Sequence, residues 1–158
     1  MEITAYHEAG HAFMAMLLGG KVRSVTIEPD NDDGPERFGD TQVIWRKSRY
    51  SERELCEYSI QVSLAGPVAE MLYSGDAYHP GLVAEWAHDW QSAWELAKPL
   101  FADHRRRLDY LERVTGQLYQ LLDSEPNWSA VASLADNLLA HETLEHEEVK
   151  EIVGEWLE

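Results

Sequence analysis

Thr4-Ala5-Tyr6-His7-Glu8-Ala9-Gly10-His11-Ala12-Phe13-Met14-Ala15-Met16-Leu17-Leu18, closed by Gly19-Gly20, is the stretch on which the reading of this chain turns. Alanine, leucine and methionine favour helix and a glycine pair ends it, so the composition predicts a helix with Thr4 as its N-cap. Within it His7 and His11 stand four positions apart. At 100° per residue they lie about 40° apart on one face and about 6 Å apart along the axis, so both imidazoles can reach one metal ion. Glu8 falls beside that face. His-Glu-x-x-His on a helix sets a zinc site next to a general base: zinc lowers the pKa of a bound water to about 7, and the carboxylate takes the proton as the water attacks a carbonyl. The plainer alternative is a buried helix whose two histidines are satisfied by ordinary hydrogen bonds, and the rest of the chain has to decide between them.

Around this helix the chain is 158 residues long and 44% hydrophobic, which fits one globular domain over residues 1–158 with a real core. Its formal charge of −16 would repel phosphates and anionic headgroups, which argues against a nucleic-acid partner. The one basic cluster, Arg105-Arg106-Arg107, reads as a solvated helix face. Cys56 is the only cysteine, so no intrachain disulfide can form and a reducing compartment is permitted. The longest apolar run, Ala12 to Gly20, is too short to cross a bilayer and lacks the basic flank of a signal peptide. These features predict a cytoplasmic protein with no direct membrane insertion.

Downstream, Val22, Val25, Thr26 and Ile27 read as a strand, Pro29 to Gly39 as an acidic loop, and Thr41, Val43 and Trp45 as a second strand. Residues 22 to 28 and 41 to 46 are expected to pair antiparallel. Ser51 and Glu54 form a capping-box pattern that opens a helix to about Tyr73. A turn-rich break at Ser74 to Gly81 precedes a helix expected over Val83 to Phe101. Leu108, Leu111, Val114, Leu118, Leu121 and Leu122, then Trp128, Val131, Leu134, Leu138 and Leu139, carry three-and-four spacing and read as core. A last short helix begins near His146. The fold class is therefore mainly α (α+β), a helical domain with a small antiparallel sheet.

A catalytic zinc needs a third protein ligand and an open position. Local evidence leaves Glu70, His79, His88 and Asp89 all in play. Beyond them the chain resembles the peptidase domain of the FtsH-type AAA+ zinc metalloproteases. Thr4 to Ala12 resembles that family's zinc helix, and Val25-Thr26-Ile27-Glu28-Pro29 its following strand. Leu64-Ala65-Gly66-Pro67-Val68-Ala69-Glu70 resembles its small-residue helix, and Asp89 with Ala93 and Ala97 the helix start that supplies an aspartate. Leu138 to Leu144 and Glu147-Glu148-Val149 look like its closing helices.

The resemblance implies Zn2+ as cofactor, with His7, His11 and Asp89 as ligands, Glu8 as the catalytic base and Glu70 orienting a ligand from behind. The approach to Asp89 departs from the family, with His79-Pro80-Gly81 and a longer Ala84-Glu85-Trp86-Ala87-His88. A one-position rotation of the helix would offer His88 instead. The resemblance further implies a metalloendopeptidase acting on unfolded or extended polypeptide laid along the Thr41 to Trp45 strand, and a homo-oligomer. No G-x-x-x-x-G-K-[ST] occurs, so unfolding by ATP would fall to a separate ATPase partner. The alternative from another class is a non-catalytic assembly or adaptor module with a structural or vestigial metal site, which four protein ligands in a closed shell would favour.

Overall fold

A computed structural model describes residues 1–28 and 40–157 of the chain. The loop expected over Pro29 to Gly39 lies outside the described residues. In chain order the elements are α1 (Glu2–Leu17), β1 (Lys21–Thr26), β2 (Asp40–Ile44), α2 (Glu52–Ser74), α3 (Ala87–Ala97), α4 (His104–Leu122), α5 (Asn127–His141), β3 (Thr143–Glu145) and α6 (His146–Leu157). Short 3-10 turns occupy Lys47–Arg49, Pro80–Leu82 and Ala84–Trp86. A mainly helical domain with a small antiparallel sheet is therefore the architecture.

α1 is the central element. Ala5, Ala9, Ala12, Phe13 and Ala15 are fully buried, and the helix packs against α2 and α5. Its start is one turn earlier than expected: Met1, not Thr4, is the N-cap, and Ala5 N–H donates to the Met1 carbonyl. Glu2 in the first turn complements the positive end of the helix, which supports the extra turn. The far end closes as the glycine pair predicts, with Gly19 at φ 90° and Gly20 N–H donating to Ala15 O.

The sheet has order β2-β1-β3. β1 and β2 pair antiparallel with Val22 opposite Val43 and Val25 opposite Thr41. Both strands are shorter than expected, and Trp45 and Arg46 lie past the end of β2. β3 was not legible from periodicity. It pairs Val25 with Leu144 on the other side of β1, so β2 is left as an outer strand.

α2 opens on the predicted capping box, Ser51 with Glu54. The helix expected over 83–101 is shorter: Ala84–Trp86 form a separate 3-10 turn and α3 ends at Ala97. The expected core stripes hold at Leu111, Val114, Leu118, Leu122, Val131, Leu134 and Leu138, whereas Leu108 is exposed. Arg107 corrects the reading of the basic cluster as solvated. It is buried, its Nε and Nη2 donate to the carbonyls of Phe101 and Ala102, and its guanidinium lies 4.6 Å from the Trp94 ring centre. The cation thereby satisfies the backbone of the α3–α4 corner.

Candidate metal centre

Small residues bring α1 and α2 unusually close. A Cβ added at Gly10 would lie 2.5 Å from Ala65 O and 2.7 Å from Ala69 Cβ, so only glycine permits this approach. His7, three residues before Gly10, and His11, directly after it, reach over α2 at Gly66, where an added Cβ would lie 2.8 Å from His7 Nε2 and 2.5 Å from His11 Cε1. Gly66 thus leaves open the space into which the two imidazoles converge.

Each imidazole is held from behind by its other nitrogen. His11 Nδ1–H donates to Val62 O at 2.6 Å, and His7 Nδ1–H donates to Glu70 Oε2 at 2.6 Å. Both donations assign the proton to Nδ1 and turn Nε2 toward the open space. Asp89, in the first turn of α3, meets them there, with Oδ2 2.8 Å from His7 Nε2 and 3.5 Å from His11 Nε2. Among the described residues, one cluster offers three ligand atoms within reach of a shared ion: His7, His11 and Asp89, all within 4.8 Å of one another.

The electrostatics follow from that crowding. Burial disfavours the charged form of His7, but hydrogen bonds to Asp89 and Glu70 outweigh it and push its pKa up to about 10. Burial likewise opposes the charge on His11, while Asp89 raises its pKa and the neighbouring His7 opposes the rise. Asp89 is partly desolvated, yet the two imidazoles hold its carboxyl well below the usual carboxylate range. In the metal-free protein the His7 imidazolium therefore bridges two carboxylates, donating Nδ1–H to Glu70 and Nε2–H to Asp89. A divalent cation would replace the Nε2 proton with charge of the same sign.

These residues fit zinc on two counts. The donors are two imidazole Nε2 atoms and one carboxylate, a set that leaves a fourth position for water or substrate, and the cradle at Gly66 is one that a Cβ would fill.

Glu8 lines a cleft of about 240 Å³ together with His11, Thr41, His88, Asp89 and Ser92, so it shares that space with two of the three candidate ligands. It is only 6% exposed. Thr41 of β2 donates its hydroxyl to Glu8 Oε1 at 2.7 Å, so the sheet braces the carboxylate.

Of the four residues left open by the sequence as third ligand, Asp89 lies in the cluster, and Glu70 lies behind His7 on the nitrogen away from it. His88 is exposed and lines the cleft without joining the cluster. His79 sits elsewhere, with Nε2 3.1 Å from Glu112 and its ring edge-on to Trp90. Sequence reasoning missed three supports: the Val62 carbonyl, the Thr41 hydroxyl and Trp86, whose indole N–H donates to Glu70 Oε2 at 2.6 Å. The alternation along β2 could have placed Thr41 on the α1 side; nothing local signals the other two.

Comparison with known proteins finds zinc metalloproteases among the relatives of this chain. The Peptidase M50B-like family model matches residues 1–44, which include α1, β1 and β2. The ATP-dependent zinc metalloprotease FtsH 4 of Sorangium cellulosum is 30% identical over 96% of this chain and 28% of its own length. FtsH 3 of Conexibacter woesei is 32% identical over 95% of this chain and 18% of its own length. FtsH of Syntrophobacter fumaroxidans is 37% identical over 65% of this chain and 15% of its own length. The chain thus spans less than a third of the length of these relatives.

Proposed function

The chain belongs to the FtsH-type zinc metalloprotease family as a peptidase domain, and from that premise we propose that it is a zinc-dependent endopeptidase acting on unfolded or extended polypeptide. The observation that carries the reading is the convergence of His7, His11 and Asp89, with His11 and Asp89 lining the same cleft as a buried Glu8. Three ligands among the described residues, with a fourth position left for water or substrate, favour a catalytic centre over a structural one.

His7, His11 and Asp89 would hold the zinc, which when bound supplies Lewis acidity toward the scissile carbonyl and acidifies the attacking water. Glu8 takes the water's proton and later delivers it to the leaving amine. The Thr41 hydroxyl occupies Glu8 Oε1, which makes Oε2 the basic oxygen. Glu70 and the Val62 carbonyl keep both imidazoles in the tautomer that presents Nε2.

Substrate selection follows from β2. Among the described residues it pairs with β1 on one side, and its other edge can accept a peptide strand that then runs past Thr41 and Glu8. Edge pairing reads backbone and demands an extended chain, which suits unfolded protein. The strong negative charge disfavours nucleic acid as a partner. The relatives are named ATP-dependent proteases, and we extend the proposal to a separate ATPase partner that delivers substrate and to assembly with further copies of this chain. No helix among the described residues is long and apolar enough to cross a membrane; a cytoplasmic site of action, where a lone cysteine stays reduced, is part of the proposal.

The test is direct. Metal-replete protein should contain about one zinc per chain and cleave casein. Glu8→Gln should keep the zinc and slow cleavage by about 10²- to 10⁴-fold. Undiminished cleavage by that variant would remove Glu8 as the base, and absence of zinc from the loaded wild type would remove the reading altogether.

A further inference from the structure

We propose that Trp86 is a positioning residue of the metal centre: its indole N–H pins Glu70, and through Glu70 the ring of His7, in the orientation that leaves Nε2 for the metal. The inference rests on the reading of His7, His11 and Asp89 as the ligand set.

Glu70 Oε2 receives two N–H donors from different parts of the fold, His7 Nδ1 on α1 and Trp86 Nε1 on the 3-10 turn before α3, each at 2.6 Å. A carboxylate held by the imidazole alone could swing and carry the ring with it. A second donor from another direction removes that freedom. Both bonds are charge-assisted and sit where little water competes, since Trp86 is only 5% exposed. An indole buried to this degree needs a partner for its N–H, and Glu70 supplies it.

Trp86 also stands three residues before Asp89, about one helical turn. The same hydrogen bond that steadies Glu70 therefore ties the start of α3 to α2, and with it the segment that delivers the aspartate. One contact sets the position of two ligands that belong to different helices. This departs from a purely structural role in one respect: a tryptophan that only fills space is indifferent to whether its ring carries an N–H.

Replacing Trp86 with 3-benzothienylalanine, which keeps the ring shape and exchanges the N–H for sulfur, isolates that difference; Trp86→Phe is the genetic counterpart. Zinc affinity, measured by competition with a chromophoric chelator, should fall about 10- to 100-fold in both variants, the usual cost of losing a hydrogen bond behind a ligand. In a Glu70→Ala background the same replacement should cost nothing further. In the metal-free protein the Trp86 indole proton should resonate downfield and move upfield in Glu70→Ala. Wild-type affinity in the benzothienyl variant would overturn the inference and leave the ligand set standing. An equal loss with and without Glu70 would also overturn it, by showing that packing is responsible. A wild type that binds no zinc would take down the ligand set and this inference together.

Discussion

The two halves of the metal centre are built on opposite principles. His7, Glu8 and His11 ride on α1, locked to α2 by contacts so close that Gly10 admits no side chain. Asp89 arrives instead at the end of the irregular stretch between Ser74 and Ala87, where Pro80–Leu82 and Ala84–Trp86 form two 3-10 turns. The helix pair sets the backbone positions of His7 and His11 by close packing, which tolerates almost no displacement and leaves only the ring orientations to side-chain and carbonyl acceptors. The connection sets its donor by side-chain hydrogen bonds, chiefly that of Trp86 to Glu70. One half is rigid by construction, and the other has to be tied down.

The largest effect should come from cutting the tied-down half, and it also decides between neighbours. Zinc binding of about 10 kcal/mol shared among three protein ligands assigns each about 3 kcal/mol, so Asp89→Ala should weaken zinc roughly 10²- to 10³-fold. His88→Ala should leave affinity unchanged, because His88 lines the cleft outside the ligand cluster. Chelator competition on the two variants measures this. The reverse ranking would mean that the first turn of α3 presents its neighbouring residue when metal is bound.

A smaller loss should follow from filling the rigid half. Alanine at Gly66 gains about 1 kcal/mol of helix propensity, yet its Cβ would press on the imidazole nitrogens of His7 and His11. Overpacking of this kind costs about 1–3 kcal/mol, so zinc affinity should fall roughly 10- to 100-fold. The metal-free Gly66→Ala protein should still fold, as judged by far-UV circular dichroism. Unchanged zinc binding would show that α2 yields at this point and that the helix pair is less rigid than its contacts imply.

The same division explains what could be read from the sequence. His7, Glu8 and His11, the glycine stop and the Ser51–Glu54 capping box each depend on residues within one or two helical turns, and such patterns survive in a linear chain. Asp89 lies 82 positions from His7, and the local sequence offers four residues for its place, which only the resemblance to a family narrows. β3 is three residues long, between α5 and α6, and forms only because β1 offers an edge to pair with. Trp86 acquires its role from an acceptor on another element, so its neighbours in sequence hold no trace of it, and the strand alternation that puts Thr41 on the α1 side does not name the carboxylate it meets. Arg107 misled for the complementary reason: a run of three arginines looks solvated, but the third is recruited by carbonyls at a corner that only the fold creates.

The mildest perturbation of the comparison is a proton, because in the metal-free protein it joins the two halves. His7 titrates near 10 in place of 6.5, so its stabilising contribution is complete below about pH 6.5 and is lost as the pH rises through 10. Asp89 is depressed from 3.8, so its contribution is present above that value and is lost as the pH falls below it. The metal-free protein should therefore be most stable between roughly pH 4 and 6.5 from these two groups. Zinc has to displace the His7 proton, so its affinity should rise about tenfold per pH unit from neutrality toward pH 10. Thermal melts with and without zinc at pH 6 and pH 8 measure both trends: the metal-free melting temperature should decline while the increment due to zinc grows. An increment independent of pH would mean that His7 is already neutral without metal, and that Asp89 is held against α1 by something other than this shared proton.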